Sequence, residues 1–150
     1  MQDAESLKIN ALSKQYMEDN LERMMYIERD YPKIWLPENF LMDLPLKWEL
    51  SRYTELDKKP VGFIIASLRD DSVALHRLMV DPDYRDRHIG GALYGDFEAG
   101  CREVDGVRRI TLHVMSDNTG GIRFYERLGY RIFDETSLAD HYRMEKILNP

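Results

Sequence analysis

Two stretches of this 150-residue sequence carry side chains whose types and spacing could do chemistry. The first runs Val80-Asp81-Pro82-Asp83-Tyr84-Arg85-Asp86-Arg87-His88-Ile89-Gly90-Gly91-Ala92-Leu93. An apolar, strand-like run ends in a basic turn, and a helical pattern then begins with two adjacent glycines. The start of a helix leaves backbone N–H groups without intrahelical partners and carries the positive end of the macrodipole. Such donors suit a pyrophosphate, and glycines let its oxygens approach the backbone. Arg85 and Arg87 can add charge-assisted bonds. With no Gly-Lys-Ser/Thr and no G-x-G-x-x-G, the stretch is neither a nucleotide P-loop nor a dinucleotide fingerprint. Taken alone, the same glycines serve turning or helix packing equally well.

The second stretch, Leu112 to Tyr130, again passes from a strand-like run to a helical one. Tyr125 follows Asn118 by seven residues, about two helical turns, so one cleft can receive both side chains. Asn118 also suits a helix N-cap, and the Tyr125 ring also suits packing of the helix onto a sheet. His76 and His113 lie in strand-like runs, His76 on the same face as Ala74 two residues before it. Histidine takes up a proton near neutral pH, so either could act as a general base, and either could be purely structural. The four histidines, His76, His88, His113 and His141, lack paired ligand spacing on one element, and no metal is expected. Cys101, the only cysteine, excludes an internal disulfide and reads as a packed, inert thiol.

Together these stretches resemble the GCN5-related N-acetyltransferases (GNAT). The first is similar to the family's acetyl-coenzyme A motif, Gln/Arg-x-x-Gly-x-Gly/Ala, with Arg85 in first place and Gly90 in last. His88 stands where the family has its first glycine, and Asp86 where many members have glycine. Leu75 to Val80 resembles the family's fourth strand, whose backbone pairs with the pantetheine arm like an added strand and which splays from the next one. The second stretch is similar to Asn-x-x-Ala-x-x-x-Tyr-x-x-x-Gly-Phe. Asn118, Tyr125, Gly129 and Tyr130 fall in register, and Gly121 takes the alanine place.

The resemblance implies that acetyl-coenzyme A (acetyl-CoA) is held by the strand residues Leu78, Met79 and Val80 and by the turn and helix start at Arg85, Arg87, His88, Ile89, Gly90, Gly91 and Ala92. Asn118 and Tyr125 complete that set, with an oxyanion-binding N–H near Leu78 or Met79. It implies Tyr125 as proton donor to the departing thiolate. A phenol of pKa about 10 can protonate a thiolate whose conjugate acid lies at about 8–9 if the two are adjacent and dry. The glutamate that many members carry on the fourth strand falls on Ala74, which leaves the base to His76 or His113, registers at which some members have histidine. The implied activity is acetyl transfer to a primary amine of a small molecule or peptide, by direct attack in a ternary complex, with acetyl-CoA as cosubstrate and no metal. The missing acid keeps open a catalytically silent CoA-binding regulatory or interaction module.

Those residues need elements to position them. Met17, Leu21, Met24 and Met25 fall at helical spacing and predict a helix over Ser13 to Asp30, after a short strand at Leu7 to Leu12. A short helix is expected over Glu38 to Met42, followed by strands at Lys47 to Tyr53, Val61 to Leu68 and Val73 to Val80 in an antiparallel meander. Then come a helix from Ile89 to Val104, a strand at Arg108 to Val114, a helix at Asn118 to Leu128, and strands at Tyr130 to Phe133 and Tyr142 to Leu148. The fold class is α/β (α+β): a mixed, mostly antiparallel central sheet flanked by helices, which the resemblance splays between the fourth and fifth strands. One domain over residues 1–150 is expected. With 43% hydrophobic and 32% charged residues the chain can bury a core. Its formal charge of -6 argues against nucleic acid and fits a cationic amine weakly. No run reaches transmembrane length, and Met1-Gln2-Asp3-Ala4-Glu5 lacks the start of a signal peptide, so a cytoplasmic location is expected. A homodimer is left open. Tyr31, Trp35, Trp48, Tyr53 and Tyr142 are candidates to wall an acceptor pocket, and Glu38, Asp43 or Glu49 to attract a cation.

Overall fold

Pro60 to Ser67 is buried without interruption, so the strand they form must have apolar layers on both of its faces. In the computed structural model, which describes residues 7–138 and 140–148, that strand sits inside a seven-stranded sheet. The strands are β1 (Ile9–Ala11), β2 (Arg52–Leu56), β3 (Lys59–Arg69), β4 (Ser72–Val80), β5 (Arg109–Met115), β6 (Arg131–Leu138) and β7 (His141–Ile147). The helices are α1 (Lys14–Asp19), α2 (Leu21–Ile27), α3 (Pro37–Leu41), α4 (Lys47–Leu50), α5 (Ile89–Arg102) and α6 (Thr119–Arg127). The strand order is β1-β2-β3-β4-β5-β7-β6, and every neighbouring pair is antiparallel except β4 and β5. This is the mixed, mostly antiparallel sheet that the sequence predicts, and the order β-α-β-α-β-β after residue 72 is as expected. The residues Met1 to Glu5 lie outside the described ones.

Side chains alternate across β3 and build two cores. Phe63 and Ile65 face Leu12, Met17, Met24, Ile27 and Phe40, so the methionine stripe of the first helices is core. Ile64 and Ala66 face the opposite way, with Val73 and Leu75 of β4, Tyr94 and Phe97 of α5, and Ile110 and Leu112 of β5. Cys101 is fully buried there, and burial pushes its thiol up to about 12, which makes it inert. Gly62 lets α5 come close to β3: a Cβ at that position would meet Leu93 at 3.0 Å, Ile89 at 3.2 Å and the Met79 carbonyl at 3.2 Å.

Two expectations need correction. The helix predicted over Ser13 to Asp30 breaks at Asn20, whose side chain donates to the Tyr16 carbonyl at 2.9 Å and competes with the helical ladder. The strand predicted over Lys47 to Tyr53 is a helical turn, α4, before β2 begins at Arg52. Its alternating sequence is strand-like, but Lys47 is fully buried and donates to the carbonyls of Phe40 (2.8 Å), Met42 (2.7 Å) and Asn39 (3.3 Å) at the end of α3. A lysine thus caps a helix C-terminus, where carbonyls lack partners.

Burial pushes the Lys47 ammonium down to about 8 from an ordinary 10.5. Below pH 8 the folded and unfolded chains both hold the proton, and the folded state bears the buried charge. Between pH 8 and 10.5 the folded protein sheds the proton first, so stability rises with pH across that window. In urea unfolding, Lys47→Met should lack this rise, the difference from wild type changing by on the order of 3 kcal/mol across the window. Parallel pH profiles for the two proteins contradict it.

Candidate active site

The site begins with one extra residue in β4. Ile65 of β3 pairs with Arg77, but Ala66 pairs with Leu75, so His76 has no counterpart and forms a bulge. Its consequence is that two consecutive side chains, His76 and Arg77, work on the same face. The His76 Nε2 lies 2.8 Å from Ser67 Oγ, and Arg77 lies 4.6 Å from each of the ring centroids of Tyr31 and Trp35 in the α2–α3 connection. Beyond the bulge β4 and β5 part. Their parallel pairing runs only from Ser72↔Arg109 to Leu75↔Leu112, while β5 goes on pairing with β7 as far as Met115. The splay between the fourth and fifth strands is therefore present, and residues 76–80 keep one backbone edge unpaired.

A cleft of about 70 Å³ occupies the gap. Tyr31, His76, Leu78, His113, Asn118 and Tyr125 are among its walls, which brings together the candidate proton donor and both candidate bases. Asn118 caps α6, accepting from the Gly121 N–H at 3.0 Å, and still borders the cleft. The Tyr125 ring packs edge-on against Tyr130, centroids 5.5 Å apart, and burial pushes its phenol up. Among the described residues its hydroxyl has no hydrogen-bond partner, so it is available to a group entering the cleft. Burial, and then the charges of Arg69 and Lys47, push His76 down to about 4. His113 is more open to solvent than His76; the neighbouring protein still shields it in part, and that shielding, then Arg143, its partner across the β5–β7 ladder, lowers it.

The turn before α5 differs in detail from what the motif implies. Gly90 and Gly91 have ordinary negative φ, and a Cβ would make only van der Waals contact at Gly90 and none within 4 Å at Gly91. The fold itself does not require glycine there. What small residues provide is open space over the first-turn N–H groups, which fits a pyrophosphate. Arg87 is exposed, with its guanidinium 5.1 Å from the Tyr84 ring. Arg85 instead grips Asp30 in a bidentate pair at 2.8 and 3.1 Å, tying the turn to the end of α2. Asp86 and His88, at the two departures from the glycine pattern, are exposed and hold left-handed φ of 65° and 63°. Glycine in those places avoids strain that a side chain incurs. Asp81, 1% exposed, anchors the turn from below through Arg23 and Arg29 of the α2 region and the Asp83 N–H.

Sequence reasoning missed several residues here. Lys33 Nζ lies 2.6 Å from His141 Nε2, and His141 Nδ1 lies 2.7 Å from Asp140, which joins the α2–α3 connection to the start of β7. Arg77, 6% exposed, donates to the Lys33 carbonyl at 2.8 Å and holds the same connection over the sheet. An arginine inside an apolar strand run was the one available signal. Of the aromatic candidates only Tyr31 borders the cleft; Trp35, Trp48 and Tyr53 pack on the α1–α3 core and Tyr142 on the opposite one. Asp43 is held by Lys14 and Trp48. Among the described residues no group of histidine, cysteine and carboxylates could hold a metal, and no helix is long and apolar enough to cross a membrane.

The fold of this sheet, opened between two parallel strands, is that of the N-acetyltransferases. Ard1 from Thermoplasma volcanium superposes with a TM-score of 0.81 at 24% identity, covering 97% of this chain and 99% of that one. Arabidopsis thaliana Naa50 in complex with the bisubstrate analogue CoA-Ac-MVNAL superposes with a TM-score of 0.77 at 21% identity, covering 94% and 98%. An uncharacterized N-acetyltransferase of Methanocaldococcus jannaschii is 31% identical over 135 residues, 81% of this chain and 59% of that protein. The chain thus spans about three fifths of that relative's length. The profile of the Acetyltransferase (GNAT) family matches residues 12–130. The chain belongs to that family.

His88 gives a test of the turn. Replacing a side chain at left-handed φ by glycine removes strain of about 1 kcal/mol. His88→Gly should therefore raise the unfolding free energy by that amount, read as a higher urea midpoint at unchanged slope, whereas an unchanged or lower midpoint shows that the histidine is otherwise held.

Proposed function

We propose that the chain transfers an acetyl group from acetyl-CoA to a primary amine by direct attack in a ternary complex. The observation that carries the reading is the parting of β4 and β5 after Leu75 and Leu112, with Tyr125, His76 and His113 bordering the gap. The unpaired edge of residues 76–80 suits an extended, amide-bearing arm such as pantetheine, which it would receive as an added strand. Leu78, Met79 and Val80 would supply that edge, and an N–H near Leu78 or Met79 the oxyanion donor. The helix start at Ile89, Gly90, Gly91 and Ala92, with the backbone of His88, would hold the pyrophosphate. Arg87 is free to join it, and Arg85 would join only by releasing Asp30.

In the reaction a nitrogen–carbon bond forms to the acetyl group and the carbon–sulfur bond of the thioester breaks. The amine proton leaves to a base, and Tyr125 returns a proton to the thiolate. Of the two histidines, His113 is the better base. His76 is pushed down to about 4 and its Nε2 is engaged by Ser67, so it draws a proton from an ammonium poorly. A second reading, a catalytically silent CoA-binding module, is favoured by Ala74 standing where a carboxylate base would serve. Thiol release from acetyl-CoA on addition of amines separates the two: release supports transfer, and CoA binding without release on any amine supports the silent module.

Two variants test the assigned roles. Tyr125→Phe should lower turnover at least about tenfold, over about 1.4 kcal/mol, with CoA affinity nearly unchanged; wild-type turnover removes Tyr125 from the proton path. The acidic limb of the pH–rate profile should fall below the ordinary histidine value of 6.5 and vanish in His113→Ala. A limb that survives in His113→Ala and disappears in His76→Ala reverses the assignment.

A further inference from the structure

A larger cavity, about 360 Å³, adjoins the cleft across His76 and His113, which border both. It lies on one face of the sheet. Arg109, Thr111 and His113 alternate along β5 and so share that face, and Arg143 is the cross-strand partner of His113 on β7.

The charge of this face is opposite to that of the chain. The whole sequence carries a formal -6, yet three arginines, Arg69, Arg109 and Arg143, line the cavity. Arg109 is answered by Glu145 at 2.8 Å, a carboxylate already shared with Arg131 at 2.6 Å. Arg143 meets Asp134 only at 3.8 Å, and Arg69 is exposed and has no ion-pair partner among the described residues. Lys33, beside His141, adds a further cation near His113. The acids of the cavity are Asp70 and Asp71 at the β3–β4 turn, and no carboxylate borders the cleft itself among the described residues.

We propose that this face selects the acceptor, an amine with a carboxylate close to the reacting nitrogen, and that Arg69 and Arg143 receive that carboxylate. The proposal rests on the acetyl-transfer reading. Cations around the reacting nitrogen favour its neutral, nucleophilic form over the ammonium, which suits a site without a carboxylate base. The same cations would repel an incoming ammonium, and a carboxylate on the acceptor offsets that repulsion. The field already acts on the histidines: after burial, Arg69 lowers both His76 and His113, and Arg143 lowers His113. The carboxylate has two sources, an acidic side chain beside a peptide N-terminus or the carboxylate of a free amino acid.

The test is thiol release from acetyl-CoA with acceptors matched in all but charge. One arm uses short peptides with glutamate, glutamine or lysine at the second residue; the other compares an amino acid with its amide. The carboxylate-bearing acceptor should exceed its neutral counterpart in kcat/KM by about tenfold in at least one arm, which also identifies the source. Added salt should narrow the ratio. Arg69→Gln and Arg143→Gln should each bring the ratio toward one, and Arg69, being exposed, can be replaced without threat to the fold. Equal or better use of neutral or lysine-bearing acceptors, or a ratio indifferent to both substitutions, overturns the proposal while leaving acetyl transfer intact. No thiol release with any acceptor overturns both.

Discussion

The structure turns on a single unpaired residue. His76 inserts into β4 opposite β3, and a bulge of that kind bends a strand and sharpens its twist. β4 can then follow β3 to Val80 but cannot follow β5 beyond Leu75. Backbone N–H and C=O groups left without a ladder are costly inside a protein and are kept where solvent or a ligand can reach them. The sheet of this chain therefore contains a gap in its middle, and the chemistry-bearing side chains of two different strands and a helix collect around it.

Most of the surrounding architecture keeps that gap in shape. Gly62 removes the side chain that would push Ile89 and Leu93 away from β3, which sets the start of α5 beside the open edge. Asp81 holds Arg23 and Arg29 on one side and the turn before α5 on the other, so α2 and that turn move together. Arg77, placed by the bulge, fixes Tyr31 and Trp35 from beneath and draws Lys33 toward His141. Each tie joins segments far apart in sequence. Each also ends on an element that borders the gap.

That separation explains what the sequence could and could not convey. Asn118 and Tyr125 are seven residues apart on one helix, and Arg85 to Gly90 form one turn, so both motifs are local and were legible. So was the succession of elements after Val61, because apolar runs and turn residues are local signals too, whereas the insertion of β7 between β5 and β6 is not. Lys47 was misread because its strand-like alternation was overruled by carbonyls at the end of α3. Arg77, Lys33 and His141 acquire their roles only through contacts made by the folded chain. Net charge says nothing of placement either: a sum over 150 residues hides three arginines on the face beside the histidines.

On this account, helix start and open strand edge form one continuous seat for acetyl-CoA. Amide hydrogen exchange with and without CoA measures that directly. The amides of Leu78 to Val80 and of Ile89 to Ala92 should slow together when CoA is added, while those of β1 at the far edge of the sheet stay as they were. Binding of CoA that leaves these two segments unprotected, or that protects only one of them, contradicts the account.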